Sequence, residues 1–388
     1  MNNELLHKEV QDFIINYKAD TSKLAFAGSP FAKIKVQELI QQIESRRKIE
    51  KKLPFWFEKA TIIYPPKLNL EQTSSEATAK YKASLVNGNS MADLTGGFGI
   101  DTFYFSERFD TVIHYELNKE LSEIAAHNFS VLERNNIVCK SEDGMEGFSE
   151  EKLNFIYVDP SRRHNSKGKV FFLTDCEPNV VENLGKLRDH CDTLMIKTSP
   201  MLDVSAGIDE LGAPSQLHIV ALDNEVKELL WIFENKKDSS TTVFTVNLGN
   251  ENSESFSFQL NSEGNTHYGL PQQYLYEPNA AIMKSGAFHL LSEAYGLTKL
   301  HINSHLYTSE NPKSFPGRRF KIEKCIPYTK QEMKSGSLPK KANITIRNFP
   351  ESVSTIREKW KIKDGGYDYL FFTTINNNKK VVIYCSKL

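Results

Sequence analysis

Four short segments of this chain carry the residue types that a ligand-handling site needs. The first, Met91-Ala92-Asp93-Leu94-Thr95-Gly96-Gly97-Phe98-Gly99-Ile100-Asp101, reads as a strand running into a glycine turn and then a helix. Gly96, Gly97 and Gly99 permit positive φ and close backbone approach, and a helix N-terminus offers free N–H groups, so the segment suits a nucleotide-like ligand. Glu116 follows 23 positions after Asp93, at the end of the next strand-like run, where an open α/β sheet presents an acid to the two hydroxyls of a ribose. A partner for the helix beginning at Asn118 is the plainer reading of the same carboxylate. Asp143-Gly144 comes after the third strand-like run; an acid there can accept from an adenine amino group, while an Asp-Gly pair is also an ordinary turn. In the fourth segment, Val158-Asp159-Pro160-Ser161-Arg162-Arg163, a carboxylate and the Pro160 carbonyl stand side by side at a strand end, both able to accept from an amine. A capped turn with two solvated arginines is the plainer alternative.

Spacing removes several chemistries. A G-x-G-x-x-G fingerprint starting at Gly97 needs glycine at position 102, where Thr102 stands, and no G-K-[ST] closes the loop as in a phosphate-binding loop. His114, His127, His164, Cys139 and Cys191 have no partners at ligand spacing, so no metal is expected.

Such a site needs a parallel sheet beneath it, and the pattern from residue 71 supplies one. A helix is predicted over 71–84, then strand 90–94, helix 101–109, strand 111–117, helix 118–135 and strand 136–141. Strand 154–160, helix 178–190 and strand 193–200 follow. Strands separated by helices of crossover length imply right-handed βαβ units and a doubly wound α/β domain. The β-rich stretches 216–234 and 241–248 have no such helix between them, which predicts an antiparallel end to the sheet. Before this domain, residues 1–66 read as a helical module closed by Tyr64-Pro65-Pro66, since paired prolines cannot continue a helix. The expected organisation is a helical module over 1–66, the α/β domain over 67–262, a small ferredoxin-like α/β insert over 263–312 and a last unit over 313–388. That last unit contains strands 319–328, 342–349, 367–375 and 379–388, with Asn376–Asn378 as a hairpin turn.

Apolar and charged fractions of 39% and 25% over 388 residues are those of a soluble multidomain protein. No run of eighteen apolar residues predicts a membrane span, and the five scattered cysteines predict neither disulfides nor structural zinc, so a cytoplasmic setting is expected. A net charge of −1 confines any polyanion binding to local patches. The segment from Lys313 to Arg347 is one, with Lys313, Arg318, Arg319, Lys321, Lys324, Lys330, Lys334, Lys340, Lys341 and Arg347 against Glu323 and Glu332, and Phe315, Phe320 and Tyr328 interleaved. It reads as a phosphate-tracking surface with some stacking; a solvated basic face is the plainer alternative.

Taken in order, Asp93-Leu-Thr-Gly-Gly-Phe-Gly99, Glu116, Glu142-Asp-Gly144 and Asp159-Pro-Ser-Arg-Arg163 resemble the motifs of class I S-adenosylmethionine-dependent methyltransferases. Within them the chain is similar to the bacterial group with a THUMP-like C-terminal domain, through EQTSSEATAKYKA, YLYEPNAAIMKSGAF, ANITIRNFP and DGGYDYLFF, from about residue 60 to the end. The resemblance implies a Rossmann-like sheet of seven strands with the last antiparallel, an N-terminal helical module and small C-terminal α+β domains. It implies S-adenosyl-L-methionine as cofactor, with Asp93, Thr95, Gly96, Gly97 and Gly99 beside its amino-acid portion, Glu116 on the ribose, and Asp143 and Gly144 at the adenine. Asp159, Pro160, Ser161 and Arg162 are then the catalytic candidates, with Asp159 as positioning acceptor or base. The implied substrate is RNA, modified at a base of rRNA or tRNA. One departure matters: amine-directed relatives resemble Asp/Asn-Pro-Pro-aromatic, whereas Ser161 and Arg162 follow Pro160 here and no ring is left to stack on a flipped base. A small molecule or protein as methyl acceptor, and a noncatalytic RNA-binding role, are the alternatives.

Overall fold

Helices open the chain because apolar residues recur there at helical spacing. The computed structural model describes residues 1–148, 152–162, 172–235, 240–249, 252–336 and 338–388. Helix α1 (Lys8–Asn16) buries Val10 and Ile14, α2 (Thr21–Ala27) starts where Asp20 accepts from the Ser22 N–H, and α3 (Val36–Ile49) buries Leu39, Ile43 and Ile49. Helix α4 (Pro54–Glu58) places its proline in the first turn, where the missing N–H costs nothing. The predicted single helix over 71–84 is two, α5 (Lys67–Gln72) and α6 (Glu76–Ser84). Thr73 turns extended, and the Ser75 hydroxyl restarts the helix by accepting from the Thr78 N–H at 3.2 Å.

One compact unit comprises Met1–Leu217 with Glu228–Thr241. Its strands are β1 (Gly88–Asp93), β2 (Phe109–Tyr115), β3 (Ile137–Lys140), β4 (Leu153–Val158), the two-residue β5 (Ser161–Arg162) and β6 (Cys176–Glu177), and β7 (Cys191–Thr198). The helices between them are α7 (Ile100–Phe105), α8 (Lys119–Val131), α9 (Gly144–Gly147) and α10 (Val180–Asp189); α11 (Val204–Leu211) follows β7. The 216–234 stretch is two strands, β8 (Gln216–Leu222) and β9 (Glu225–Glu234), because Asp223 and Asn224 take φ of 50° and 64° and turn the chain in two residues. The sheet of this unit runs β9-β7-β4-β1-β2-β3. Strands β7, β4, β1, β2 and β3 are parallel, and β9 runs antiparallel to β7. The antiparallel close expected from the 216–248 pattern is therefore present, as is the expected doubly wound α/β architecture. Because all parallel strands point the same way, their carboxyl ends line one edge, where the four ligand-handling segments lie.

The other unit, His218–Lys227 with Thr242–Leu388, has β10 (Thr242–Leu248) and β11 (Glu254–Gln259) as an antiparallel pair. Then come β12 (His267–Tyr268), β13 (Tyr274–Pro278), α12 (Ala280–Ser285), α13 (Leu290–Tyr295), β14 (Thr298–Lys299), β15 (Tyr307–Ser309), β16 (Gly317–Pro327), α14 (Lys330–Lys334), β17 (Asn343–Arg347), α15 (Val353–Trp360), β18 (Asp368–Ile375) and β19 (Lys379–Lys387). One eight-stranded sheet orders them β12-β14-β15-β13-β16-β19-β18-β17, so the β13–β16 pair joins the insert and the tail without a break. Phe320, Phe371, Leu275 and Ile383 pack one side of this core and Leu370, Phe372, Val382 and Ile356 another.

In the first unit, an extended stretch around Ile63 and Tyr64 is held by two buried amides. Asn128 of α8 accepts from the Ile63 N–H and donates to its carbonyl, each at 2.9 Å; Gln42 of α3 does the same for Tyr64, at 2.9 and 2.8 Å. Each amide substitutes for a neighbouring strand, satisfying backbone groups that no ladder reaches. Asn128→Leu leaves two buried backbone groups unpaired, and we expect a loss of about 2–4 kcal/mol of stability in urea unfolding. A loss below about 0.5 kcal/mol would show that the stretch is held by packing alone.

Candidate active site at the carboxyl edge of the parallel strands

The glycine loop is shaped from below. Asp93, buried at the end of β1, accepts from the Thr95 N–H at 3.0 Å and from the Thr102 hydroxyl at 2.6 Å, so it holds both ends of the turn. Gly96 donates to the Tyr115 carbonyl at 2.8 Å, and a Cβ there would stand 2.2 Å from Nε2 of His114, which lies buried beneath it. Burial pushes the His114 imidazole down to about 4, so the ring packs as a neutral body. Gly99 takes φ 88°, and a Cβ would collide with Phe129 at 2.4 Å. Gly97 differs: at φ 56° its Cβ position meets nothing nearer than the Thr95 carbonyl at 3.8 Å, a cradle that a side chain would fill.

Around this loop stand the other expected residues. Glu116 accepts from the Gly97 N–H at 3.0 Å and from the Asn118 N–H at 2.7 Å, so the helix-partner role and the loop-facing position are both real. Asp143 caps α9 by accepting from the Met145 N–H at 2.8 Å. Gly144 brings that backbone so close to Leu94 that a Cβ would lie 2.4 Å from its carbonyl oxygen. Asp159 donates its N–H to the Thr95 hydroxyl at 2.7 Å, which ties the end of β4 to the glycine loop. Pro160 is buried and Ser161 exposed; Ser161 and Arg162 pair with Glu177 and Cys176. Arg163 and His164 lie outside the described residues. Gln72 is exposed at the end of α5 and Ser75 is a helix cap.

The sequence reading missed a second layer. Lys197, at the end of β7, forms an ion pair with Asp159. Beneath it, fully buried Lys82 of α6 donates to both oxygens of Glu228, at 2.8 and 2.7 Å, and to the Ser74 hydroxyl at 3.1 Å, and sits 3.3 Å from Asp101. Asp101 also accepts from Tyr157 at 2.8 Å and from Ser74 at 2.9 Å. Burial would raise the Asp101 carboxyl, but Lys82 and Lys197 outweigh it and hold the group below its usual range. Burial would likewise lower Lys197, yet Asp159, Asp101 and Glu228 around it keep it above the usual lysine value, so it is charged. The one signal in the sequence was Glu228 ahead of the apolar run LLWIF, a buried acid that demands a partner. Among the described residues no cluster of three or more His, Cys, Asp or Glu is arranged to hold a metal, and no helix is long and apolar enough to cross a membrane.

Comparison places these features in a family. Residues 274–316 match a ferredoxin-like domain model and residues 317–387 a THUMP domain-like model. The chain is 31% identical to the crystal structure titled "putative methyltransferase" from Porphyromonas gingivalis W83, covering 100% of this chain and 98% of that one at a TM-score of 0.90. This chain belongs to that methyltransferase family with a THUMP-like C-terminal domain. A rRNA methylase from Streptococcus thermophilus is 14% identical over 40% of this chain and 93% of its own, at a TM-score of 0.30. The Methanocaldococcus enzyme titled M. jannaschii tRNA m1G37 methyltransferase is 12% identical over 46% and 54%, at 0.31. Likeness at that level has no bearing on substrate. No curated protein sequence is similar enough to count as a match.

Two outcomes test the loop. Gly96→Ala should cost roughly 1–3 kcal/mol in denaturant unfolding and the double variant with His114→Ala should regain most of it; strict additivity would mean that the ring does not set the turn. Desolvation raises Asp93 to about 7 against the pull of its two donors. The folded state thus favours the protonated acid: the stability this group contributes is complete below pH 4 and is lost as pH rises through about 7. Asp93→Asn should therefore gain on the parent protein between pH 5 and pH 8; a constant gap across that range contradicts the shift.

Proposed function

We propose that this protein transfers a methyl group from S-adenosylmethionine to RNA. The observation that carries the reading is the convergence of the glycine loop, Glu116, Asp143 and Asp159 at the carboxyl ends of adjacent parallel strands β1, β2, β3 and β4. The cradle over Gly97 and the carboxylate beside it fit an adenosyl group. Glu116 is oriented by two backbone donors and retains lone pairs for a vicinal diol. Asp93, Thr95, Gly96, Gly97 and Gly99 would flank the amino-acid portion, and Asp143 with Gly144 the adenine. The cofactor supplies a methyl group already activated by its sulfonium. The protein's part is alignment and exclusion of water, worth up to about 7–11 kcal/mol in ideal cases. Asp159, Pro160, Ser161 and Arg162 lie on the acceptor side.

The RNA part of the reading rests on the THUMP-like region, in which the expected basic surface needs correction. Arg318 and Arg347 both bind the buried carboxylate of Glu277, so they hold β13, β16 and β17 together. Phe315 and Phe320 are buried core residues, and Tyr328 packs beside Phe372 while bonding Glu351. None of these rings is a stacking platform. Arg319, Lys321, Lys324, Lys330, Lys334, Lys340 and Lys341 remain exposed. Among the described residues of the THUMP-like region, Tyr367 is the exposed ring, 95% accessible after Gly365 and Gly366, whose φ of 88° and 91° bring the turn against the Lys341 side chain. A free aromatic beside lysines suits an unpaired nucleotide.

Calorimetry should give binding of S-adenosylmethionine and of its demethylated product, weakened about tenfold or more by Glu116→Gln. No heat with well-folded protein would end the proposal. RNA binding should weaken steeply with salt; Tyr367→Ala should cost about 1–3 kcal/mol without changing the salt slope, whereas Lys340→Ala with Lys341→Ala should flatten it. Salt-insensitive binding, or methyl label appearing on protein or a metabolite and not on RNA, would reassign the substrate.

A further inference from the structure

We propose that the methyl acceptor is a hydroxyl oxygen, the ribose 2′-hydroxyl of an RNA nucleotide, with Lys197 and Asp159 acting on it as a pair; this rests on the RNA methyltransferase reading above. The argument starts from what surrounds Asp159. A carboxylate meant to receive the protons of an exocyclic amine needs its oxygens open to N–H donors and a ring nearby to stack the base. Here one Asp159 oxygen is taken by the Lys197 ammonium, and in the sequence Arg162 occupies the position that the pattern gives to the ring. An amine develops positive charge as it is methylated, so a fixed cation beside it is unfavourable. A hydroxyl does the reverse. As its proton departs, negative charge grows on oxygen, and an ammonium at hydrogen-bond range stabilises it.

Exposure sorts the network in the same sense. The Asp159 side chain is 34% accessible and that of Lys197 12%, whereas Lys82 is fully enclosed and Glu228 nearly so. Asp159 and Lys197 thus form the face that a substrate meets, and Lys82, Asp101 and Glu228 are positioning residues behind it. Three carboxylates and two ammonium groups leave one negative charge in excess. That excess is what a site needs to receive a proton while a cationic methyl donor is bound. In the step itself, the hydroxyl oxygen forms a bond to the methyl carbon. The carbon–sulfur bond breaks with its electron pair leaving on sulfur, the hydroxyl proton passes to the Asp159 carboxylate and then to water, and Lys197 stays protonated throughout. RNA carries such a hydroxyl on every nucleotide and DNA does not, which makes the pair a discriminator between the two polymers as well.

The test uses the full-length protein, methyl-labelled S-adenosylmethionine and bulk RNA from cells lacking the gene. A 2′-O-methyl group blocks alkaline cleavage of the adjoining phosphodiester, because that cleavage needs the free hydroxyl. Label surviving alkali in dinucleotides supports the proposal. Label released in mononucleotides overturns it while leaving RNA methylation intact, and RNA without label overturns both. Lys197→Met should lower transfer about a hundredfold, while calorimetric affinity for S-adenosylmethionine and fluorescence-measured affinity for RNA stay unchanged; Lys197→Arg should recover part of the rate. Equal losses of binding and transfer would make Lys197 a structural residue only. The alkali assay on unaltered protein decides the acceptor even if the methionine variant fails to fold.

Discussion

The structure turns on a buried lysine. Taking an ammonium out of water costs several kcal/mol unless carboxylates and hydrogen bonds replace the solvent. Lys82 meets that demand with both oxygens of Glu228, the Ser74 hydroxyl and the nearby Asp101. These partners come from the turn between α5 and α6, the helix after the glycine loop and the antiparallel strand β9. Satisfying one cation therefore fixes three elements relative to the ends of β4 and β7. Removing any member would strand a charge in the interior, at a cost of about 3–5 kcal/mol. Such an arrangement tolerates little local variation, which is what a site that must hold atoms within fractions of an ångström requires.

The N-terminal helices take part in that arrangement through α6. Its first residue, Glu76, donates its N–H to the Lys52 carbonyl at 2.9 Å, and its carboxylate accepts from the Phe55 N–H at 2.9 Å. The register of α6, and hence the position of Lys82 six residues on, is thus set by the turn after α3 and by α4. Gln42 and Asn128 hold the connecting stretch from opposite sides. The helical module is better seen as the outer wall of the site than as an appendage.

Much of this could be read from the chain, for physical reasons that also explain the rest. Strand positions followed from short unbroken apolar runs such as Phe155–Val158 and Leu194–Ile196, and the glycine loop announced itself because the close packing at Gly96 and Gly99 tolerates no side chain. Local chemistry of that kind leaves local marks. The Lys82–Glu228 pair is separated by 146 positions, and each partner sits in a segment whose own pattern is ordinary. Nothing but the fold brings them together. The interleaved rings of the basic segment misled for the opposite reason. Phe315 and Phe320 are near lysines in sequence, but Phe320 alternates inward along β16 and joins Phe371 in the core, while the exposed ring, Tyr367, sits 20 positions beyond the segment.

The two halves of the candidate chemistry also divide by charge. Glu277 of the ferredoxin-like segment binds Arg318 and Arg347 of the THUMP-like region, so the acid is enclosed and the excess in the THUMP-like region is positive, facing outward through lysines whose long stems keep their heads in water. At the carboxyl edge of the parallel strands the excess is negative. A polyanion would be repelled by the second unless a bound cationic cofactor has already balanced it. With the cationic methyl donor and the RNA proposed above as ligands, cofactor first and RNA second would be the order that electrostatics favours.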